Sequence, residues 1–168
     1  MEHQLIIVTG APGSGKTHYA KRLAKETGAT LLDIDTTTET LVKASLGAMD
    51  KDPDDRDSPF FKEHFRQPIY DTLFAIAAEN LIHTSVIITG PFTSEIKDST
   101  WLDRLKARFA HQVEVHYTYC TPEVRKTRIQ QRANPRDTSK LADWDNHIKY
   151  YGVETSPQFP HTQINTSQ

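Results

Sequence analysis

The stretch GAPGSGKT at residues 10–17 decides the fold of this chain. It fits the pattern G-x-x-x-x-G-K-[ST] without a gap, and a chance match in a chain of this length is on the order of one in a hundred. The apolar run Gln4–Thr9 precedes it and predicts a buried strand. Lys16–Thr27 follows it and predicts a helix that ends at Gly28. A strand, a glycine-rich turn and a helix in this order are typical of a loop that binds phosphate.

The chemistry of this loop needs each of its residue types. Glycines let the backbone curl until its N–H groups face a chain of phosphates, and the positive end of the following helix points at the same anion. Lys16 is placed to reach the β- and γ-phosphates, and the hydroxyl of Thr17 is placed to ligate Mg²⁺. We therefore expect ATP and Mg²⁺ as cofactors, with the nucleotide held by Gly10, Ala11, Pro12, Gly13, Ser14, Gly15, Lys16, Thr17 and His18.

Strands and helices alternate along the rest of the chain. This alternation predicts an α/β fold in three layers, α-β-α, as in the P-loop nucleoside triphosphatases, with a mainly parallel sheet of about five strands. We expect a single domain, residues 1–168, with strands at Gln4–Thr9, Thr30–Ile34, Ser85–Thr89 and Val113–Tyr119. Helices are predicted at Lys16–Thr27, Thr36–Leu46 (stopping at Gly47), Pro59–Phe65, Ile69–Ile82, Ile96–Ala110, Glu123–Arg132 and Leu141–Tyr151. His161–Thr166 fits either an edge strand or a frayed tail.

The composition is that of a folded globular protein without a strong charge. The 168 residues are 36% hydrophobic and carry a net charge of −2, so no overall positive field draws the chain to nucleic acid or an anionic membrane. Cys120 is the only cysteine, which excludes a disulfide within the chain. The apolar run Leu5–Val8 is too short for a signal peptide or a membrane span. We expect a cytoplasmic monomer that does not bind membranes.

Two aspartates follow the second predicted strand. Asp33 and Asp35 are predicted on one side of the strand's C-terminal end, because residues i and i+2 of a strand lie on the same face. Ligands of open α/β sheets bind beyond the carboxyl ends of the strands. One carboxylate is then available for Mg²⁺ and the other for the proton of an attacking hydroxyl. The alternative is a pair of solvated aspartates, with Asp35 capping the helix Thr36–Leu46.

A segment rich in arginine lies towards the end of the chain. Arg125, Arg128 and Arg132 have the spacing of one helix face, and Arg136 follows in the polar break Asn134–Ser139. Guanidinium groups suit phosphate binding and the charge of a phosphoryl-transfer transition state. The alternative is an ordinary solvated basic face. We expect Arg125 at the surface and functional roles for Arg132 and Arg136.

Together, the phosphate loop, the Asp-x-Asp pair and the arginine segment resemble the small-molecule and nucleotide kinases of the P-loop fold. These include the shikimate kinase-like, gluconate kinase-like and zeta-toxin or polynucleotide-kinase-like groups, often described as AAA-type ATP-binding proteins. The resemblance implies that Asp33 helps to hold Mg²⁺ and that Asp35 contacts the acceptor hydroxyl. It also implies that the N–H of Gly90, where Val86–Gly90 ends without an acid, lies near the γ-phosphate or the acceptor.

The same resemblance distributes roles in the arginine segment. It implies that Arg128 contacts the base, and that Arg132 and Arg136 act on the phosphates from a lid at about residues 128–140. The acceptor is expected beside an insertion at about residues 47–70, where the resemblance places an arginine; Arg66 and Tyr70 are one helical turn apart there. The phenylalanines of this insertion are expected to pack on the core: Phe60, Phe61 and Phe65.

We expect an ATP-dependent phosphotransferase that moves the γ-phosphoryl group to a hydroxyl of a small metabolite or nucleotide. Lys16, Asp35, Arg132 and Arg136 are its candidate catalytic residues. Two alternatives stay open at this point. One is a 5′-hydroxyl polynucleotide kinase, with the basic segment 125–136 lining a strand groove. The other is an ATP-bound switch protein with slow hydrolysis, whose acidic loop 50–57 docks a partner protein.

Overall fold

The central strand of the structure is β1 (Gln4–Thr9), and its apolar residues Leu5–Val8 are buried. The computed structural model describes residues 3–110, 112–150 and 156–168. Leu5 and Ile7 pack into the larger apolar cluster of the protein, whereas Ile6 and Val8 pack into another. Since alternate residues of a strand point to opposite faces, β1 is covered by apolar layers on both sides.

The sheet has five strands, and every pairing is parallel. The other strands are β2 (Thr30–Asp33), β3 (Val86–Thr89), β4 (Gln112–Tyr119) and β5 (Thr162–Asn165), in the order β2-β3-β1-β4-β5. The predicted three-layer α/β fold is confirmed. The tail at 161–166 forms the edge strand, because Thr162 pairs with His116 of β4.

Eight α-helices connect and cover the strands within the described residues. α1 (Lys16–Thr27) ends at Gly28, whose φ of 72° is the left-handed conformation expected of a helix-terminating glycine. α6 (Pro122–Arg132) begins with proline in its first turn, after the capping hydroxyl of Thr121. The remaining helices are α2 (Ile34–Ala48), α3 (Pro59–His64), α4 (Arg66–Asn80), α5 (Trp101–Phe109), α7 (Thr138–Ala142) and α8 (Trp144–Tyr150).

Helix α2 differs from the sequence prediction at both ends. It begins directly after β2, because Asp33 caps it, and it runs through Gly47 instead of stopping there. The left-handed residue after this helix is Asp50, with φ 54°. A side chain at Gly47 would meet no atom within 4 Å, so nothing in its surroundings ends the helix.

Two other predicted helices are interrupted. The predicted helix Ile96–Ala110 is a 3₁₀ turn followed by α5, because the Asp98 carboxylate accepts from the Thr100 N–H at 2.9 Å and stabilises a turn between them. The predicted helix Leu141–Tyr151 is divided at Asp143, and its predicted end lies outside the described residues. The predicted polar break 134–139 contains a 3₁₀ turn, Pro135–Asp137, and the start of α7.

The three phenylalanines between α2 and α4 pack as expected. Phe61 is buried with Val42 and Leu46 of α2, and Phe60 and Phe65 pack against this cluster. Among the helices of the described residues, none combines the length and the apolar composition that crossing a bilayer requires.

Candidate active site

The loop between β1 and α1 is tightly enclosed by its neighbours. Gly10 has φ 152° and Gly13 has φ 78°, both outside the range that side-chain-bearing residues favour. A Cβ at Gly10 would lie 2.3 Å from the Thr118 carbonyl oxygen, and one at Gly13 would lie 2.9 Å from the Arg125 carbonyl oxygen. The backbone therefore approaches β4 and α6 too closely for larger residues at these positions. The loop can present its amides only because these residues are glycine.

Lys16 lies over the loop that precedes it. Its Nζ donates to the carbonyl oxygens of Gly10 at 2.8 Å and Ala11 at 2.9 Å. Burial, followed by the charge of Arg132, lowers the pKa of this ammonium to about 8, against the opposing effect of Asp35. A cation held in a place with this much positive charge around it is a strong partner for an incoming phosphate chain.

The Ser14 side chain contacts the sheet, although Ser14 lies within the phosphate-loop motif. Its side chain is fully buried, and its Oγ lies 2.8 Å from the Oγ1 of Thr118 on β4. The hydroxyl therefore ties the loop to the sheet, while the Ser14 N–H donates to the Ala11 carbonyl oxygen at 3.0 Å.

Thr17 and Asp33 form the candidate metal site. The Thr17 hydroxyl donates to Asp33 Oδ2 at 3.0 Å, while Asp33 Oδ1 accepts from the N–H groups of Asp35 and Thr36. Oxygen ligands from one hydroxyl and one carboxylate fit Mg²⁺, which keeps several waters and binds substrate phosphates. The described residues contain no cluster of three or more His, Cys, Asp or Glu that could hold a metal ion. The protein ligands available to Mg²⁺ at this site are therefore the Thr17 hydroxyl and the Asp33 carboxylate.

The alternative prediction that Asp35 caps the second helix is wrong. The helix cap is Asp33, not Asp35, and β2 ends at Asp33. Asp35 lies in the first turn of α2, so the strand-face reasoning that paired the two aspartates was wrong. They nevertheless line the same cleft.

Arg136 binds Asp35 with both ends of its guanidinium group. Nη1 donates to Oδ1 at 2.8 Å and Nη2 to Oδ2 at 2.6 Å. Burial alone would raise the pKa of the Asp35 carboxyl, but the hydrogen bonds and charge of Arg136 outweigh this and lower it. The same hydrogen bonds raise the pKa of Arg136. The two residues predicted for the acceptor and the phosphates therefore meet directly.

Arg132 pairs with an acid that sequence reasoning missed. Its Nε and Nη2 donate to the two oxygens of Asp137, a side chain that is only 1% exposed. The signal available in the sequence was weak: one aspartate among the arginines of a polar break.

The other two arginines of α6 lie against the phosphate loop. Arg125 is 3% exposed, so its expected surface position was wrong; burial also lowers the pKa of its guanidinium. It is buried because the Arg125 backbone packs against Gly13, which brings α6 down onto the loop. Arg128 donates to the Thr166 hydroxyl at 3.1 Å and approaches the Gly13 carbonyl oxygen at 3.5 Å. The Thr166 hydroxyl in turn donates to the Ser14 carbonyl oxygen at 2.7 Å, so the chain after β5 helps to hold the loop.

The acceptor residues are partly engaged with the protein. Arg66 forms an ion pair with Glu95 at 2.9 Å. The Tyr70 hydroxyl accepts from the Phe92 N–H at 3.2 Å, and burial followed by the Glu95 charge raises the pKa of this phenol. The Gly90 N–H donates to the Val8 carbonyl oxygen at 3.2 Å. The predicted use of that N–H for a phosphate or acceptor is therefore not supported, since it belongs to the sheet.

One cleft of about 350 Å³ brings most of the predicted site together. Of the predicted residues, its walls contain Pro12, Gly13, Gly15, Lys16, Thr17, His18, Asp33, Asp35, Arg66, Tyr70, Gly90, Arg128, Arg132 and Arg136. Gly10, Ala11 and Ser14 are not part of these walls; all three are buried. The structure adds polar residues that the sequence did not single out: Thr38, Glu39, Arg56, Lys62, Thr93 and Lys140.

Known proteins share sequence and fold features with this chain. A family model described as an AAA domain, AAA_33, matches residues 5–151. No curated protein matches the sequence significantly.

Solved kinases share the fold. A candidate kinase from Chloroflexus aurantiacus has a TM-score of 0.68 at 19% identity, over 99% of this chain and 86% of its own. A gluconokinase from Sinorhizobium meliloti has a TM-score of 0.57 at 16% identity, and the match covers 99% of this chain and 85% of the gluconokinase. A shikimate kinase from Acinetobacter baumannii, in complex with shikimate, has a TM-score of 0.51 at 21% identity, and the match covers 99% of this chain and 84% of the shikimate kinase. The predicted resemblance to the P-loop kinases is confirmed at the level of the fold.

Proposed function

The chain belongs to the AAA_33 family of AAA domains, and on that premise we propose that it is an ATP-dependent phosphotransferase acting on a hydroxyl of a small metabolite. The observation that carries this proposal is the convergence, in one cleft, of the phosphate loop, the Thr17–Asp33 oxygen pair and the Asp35 carboxylate. The same cleft is also lined by Arg66 and Tyr70, which supports an acceptor site beside the nucleotide.

The nucleotide half of the cleft is formed by the loop and α6. Loop amides and the Lys16 ammonium would bind the β- and γ-phosphates, and Arg132 would stabilise charge on the transferred group. Thr17 and Asp33 would hold Mg²⁺, which when bound offsets the negative charge of the phosphate oxygens.

The acceptor half is formed by α2, the segment after it and α4. Asp35 would accept the proton of the acceptor hydroxyl while that oxygen bonds to the γ-phosphorus and the bond to ADP breaks. For this, Arg136 has to leave Asp35, and it would move towards the phosphates. We propose residues 128–140 as the lid that makes this movement within one domain, with residues 47–70 as the acceptor-side insertion.

The charge of the acceptor half favours an anionic acceptor. Arg56 and Lys62 line it, against Glu39, whose carboxylate lies 3.3 Å from Lys43. A hydroxylated metabolite with a carboxylate or phosphate fits this surface. The gluconokinase and the shikimate kinase bound to shikimate, which share the fold, also support a small-molecule acceptor. Cytoplasmic location and the monomeric state stay predictions.

A polynucleotide acceptor has less support. The basic segment 125–136 was expected to line a strand groove, but Arg125 is buried, and Arg132 and Arg136 are each paired with an aspartate. Little unpaired positive charge is left for a phosphodiester backbone.

The direct test is MgATP consumption across a panel of hydroxylated acids, phosphorylated metabolites, nucleosides and oligonucleotides. We expect turnover to rise at least tenfold with the right acceptor. Lys16→Ala and Asp35→Asn should each reduce it by about 10²–10⁴-fold. Lys21→Ala, an exposed lysine on the same helix, is the matched control and should be unaffected. Full acceptor-dependent turnover in the Asp35→Asn variant would remove the assigned base.

A further inference from the structure

Asp137 is the carboxylate of the site with the least exposed side chain. It lies at the end of the 3₁₀ turn Pro135–Asp137 and is 1% exposed, whereas the Arg132 side chain that it binds is 37% exposed. The pair is therefore asymmetric: the acid is enclosed by protein, whereas Arg132 is partly exposed and lines the cleft.

The geometry of this pair fixes the plane of the guanidinium group. Asp137 accepts from Nε at 2.5 Å and from Nη2 at 2.7 Å. Neither hydrogen bond uses Nη1, the nitrogen on the other side of the fork. A two-point contact along one edge of a planar group leaves that group almost no freedom to rotate.

Lys140 is a second cation beside Asp137. Its Nζ lies 3.4 Å from Asp137 Oδ1 and donates to the Arg136 carbonyl oxygen at 3.0 Å. Asp137 thus faces two cations, and Lys140 in turn lies 3.5 Å from the Asp57 carboxylate. The charge of Arg132 reaches Lys16, whose pKa is lowered first by burial and then by this arginine.

We propose that Asp137 is a positioning residue, which holds the Arg132 guanidinium so that Nη1 faces the γ-phosphate of bound ATP. The expected effect of Asp137 on kcat rests on the proposed phosphotransferase function. A salt bridge made only for stability would not need to leave one edge of the guanidinium group in the cleft, because its contribution comes from the contact alone.

A double-mutant cycle on kcat tests this role. Asp137→Asn should lower kcat for the identified acceptor by about 10–100-fold with little change in the acceptor KM. In an Arg132→Ala background the same change should have no further effect, because Asp137 acts through Arg132. Asp103→Asn, an exposed aspartate on α5, is the matched control. Additive losses in the double variant, or an unchanged kcat in Asp137→Asn, would overturn the proposal.

Arg132→Lys covers the case in which the Asp137 variant does not fold. It keeps a cation beside the buried acid but lacks the Nε–Nη2 edge, so kcat should fall about as far as in Asp137→Asn. A fully active Arg132→Lys protein would show that orientation of the group is not needed.

A binding experiment separates this inference from the proposed function. Calorimetry with MgATP and MgADP needs no acceptor, and the ratio of the two affinities reports contacts to the γ-phosphate. We expect this ratio to fall at least fivefold in Asp137→Asn and not to fall further when Arg132→Ala is added. If no acceptor is ever phosphorylated but the ratio behaves in this way, the positioning role stands and the phosphotransferase proposal fails. An unchanged ratio contradicts the positioning role.

Discussion

Arg136 occupies both carboxylate oxygens of Asp35, a residue 101 positions earlier in the chain, at 2.8 and 2.6 Å. The carboxylate proposed to take the acceptor proton is thus covered by the arginine proposed to act on the phosphates. An acceptor hydroxyl at Asp35 would compete with Arg136 for these oxygens, which on the proposed function links acceptor binding to the arrival of a cation at the γ-phosphate. A bound acceptor can offset the loss of this two-point ion pair by its other contacts with the cleft, whereas water cannot.

Arg136→Lys tests whether this two-point contact matters. Lysine keeps the charge but offers a single point of contact to Asp35. We expect acceptor-dependent kcat to fall about 10–100-fold, while hydrolysis of ATP without acceptor rises relative to it. The measurement is ADP release with and without acceptor. Arg22→Lys on α1, an exposed arginine, serves as control, and an unchanged ratio of transfer to hydrolysis would contradict the coupling.

Thr17→Val and Asp33→Asn test the metal site. Each removes one magnesium ligand or its charge, so the Mg²⁺ concentration for half-maximal activity should rise about tenfold or more. Asn at position 33 keeps an oxygen for the N–H groups of Asp35 and Thr36, so helix α2 remains capped. A normal melting temperature together with a shifted Mg²⁺ titration is the expected result. An unshifted titration in both variants would exclude these residues as ligands.

Two glycine substitutions should have opposite effects. Gly47→Ala should stabilise the protein by about 0.5–1 kcal/mol, because Gly47 lies inside α2 with no atom within 4 Å of the added Cβ. Gly10→Ala should destabilise it and abolish nucleotide binding, because its Cβ would clash with the Thr118 carbonyl oxygen. Thermal melts with and without MgATP measure both. A stabilised Gly10→Ala protein would contradict the close approach of the loop to β4.

His147 should make the stability of the protein depend on pH. Burial, followed by the charges of Arg125 and Lys140, lowers its pKa from 6.5 to about 4, against the opposing charges of Asp57 and Asp137. The unfolded chain therefore binds more protons than the folded one between pH 4 and pH 6.5. The stability from neutral His147 is fully present above pH 6.5 and is lost as the pH falls through this window, by about 2 kcal/mol between pH 7 and pH 5.

Replacing this histidine isolates its contribution. In His147→Gln the loss of stability between pH 7 and pH 5, measured by denaturant unfolding, should be smaller than in the unmodified protein. His64→Gln, at an exposed position on α3, should leave that loss unchanged. Equal pH dependence in all three proteins would contradict the buried neutral state of His147.

Part of the site could be predicted from the sequence because it is formed by residues that are close together in the chain. The run GAPGSGKT, the strand before it and the helix after it are close in sequence, and the structure places them as predicted. Helix ends were less predictable. Gly47 was expected to stop α2, yet the helix continues to Ala48, because a glycine within a helix costs only about 1 kcal/mol and packing on Phe61 compensates for it.

The arginine segment shows where sequence reasoning failed. Helical spacing put Arg125, Arg128 and Arg132 on one face, but it could not say what that face meets. The structure packs the start of α6 against Gly13, which buries Arg125, while Arg132 reaches the cleft further along. Spacing along a helix is a local property; burial is decided by the neighbouring loop.

By itself, the sequence determined the order of strands and helices and the presence of a phosphate-binding loop, because glycine conformations and apolar periodicity act over a few residues. Only the tertiary structure decided which arginine meets which acid: Arg136 with Asp35, and Arg132 with Asp137. Several cations and carboxylates of similar chemistry compete for these contacts. The choice among them depends on how α2 and α6 are brought together by the sheet, which no local pattern contains.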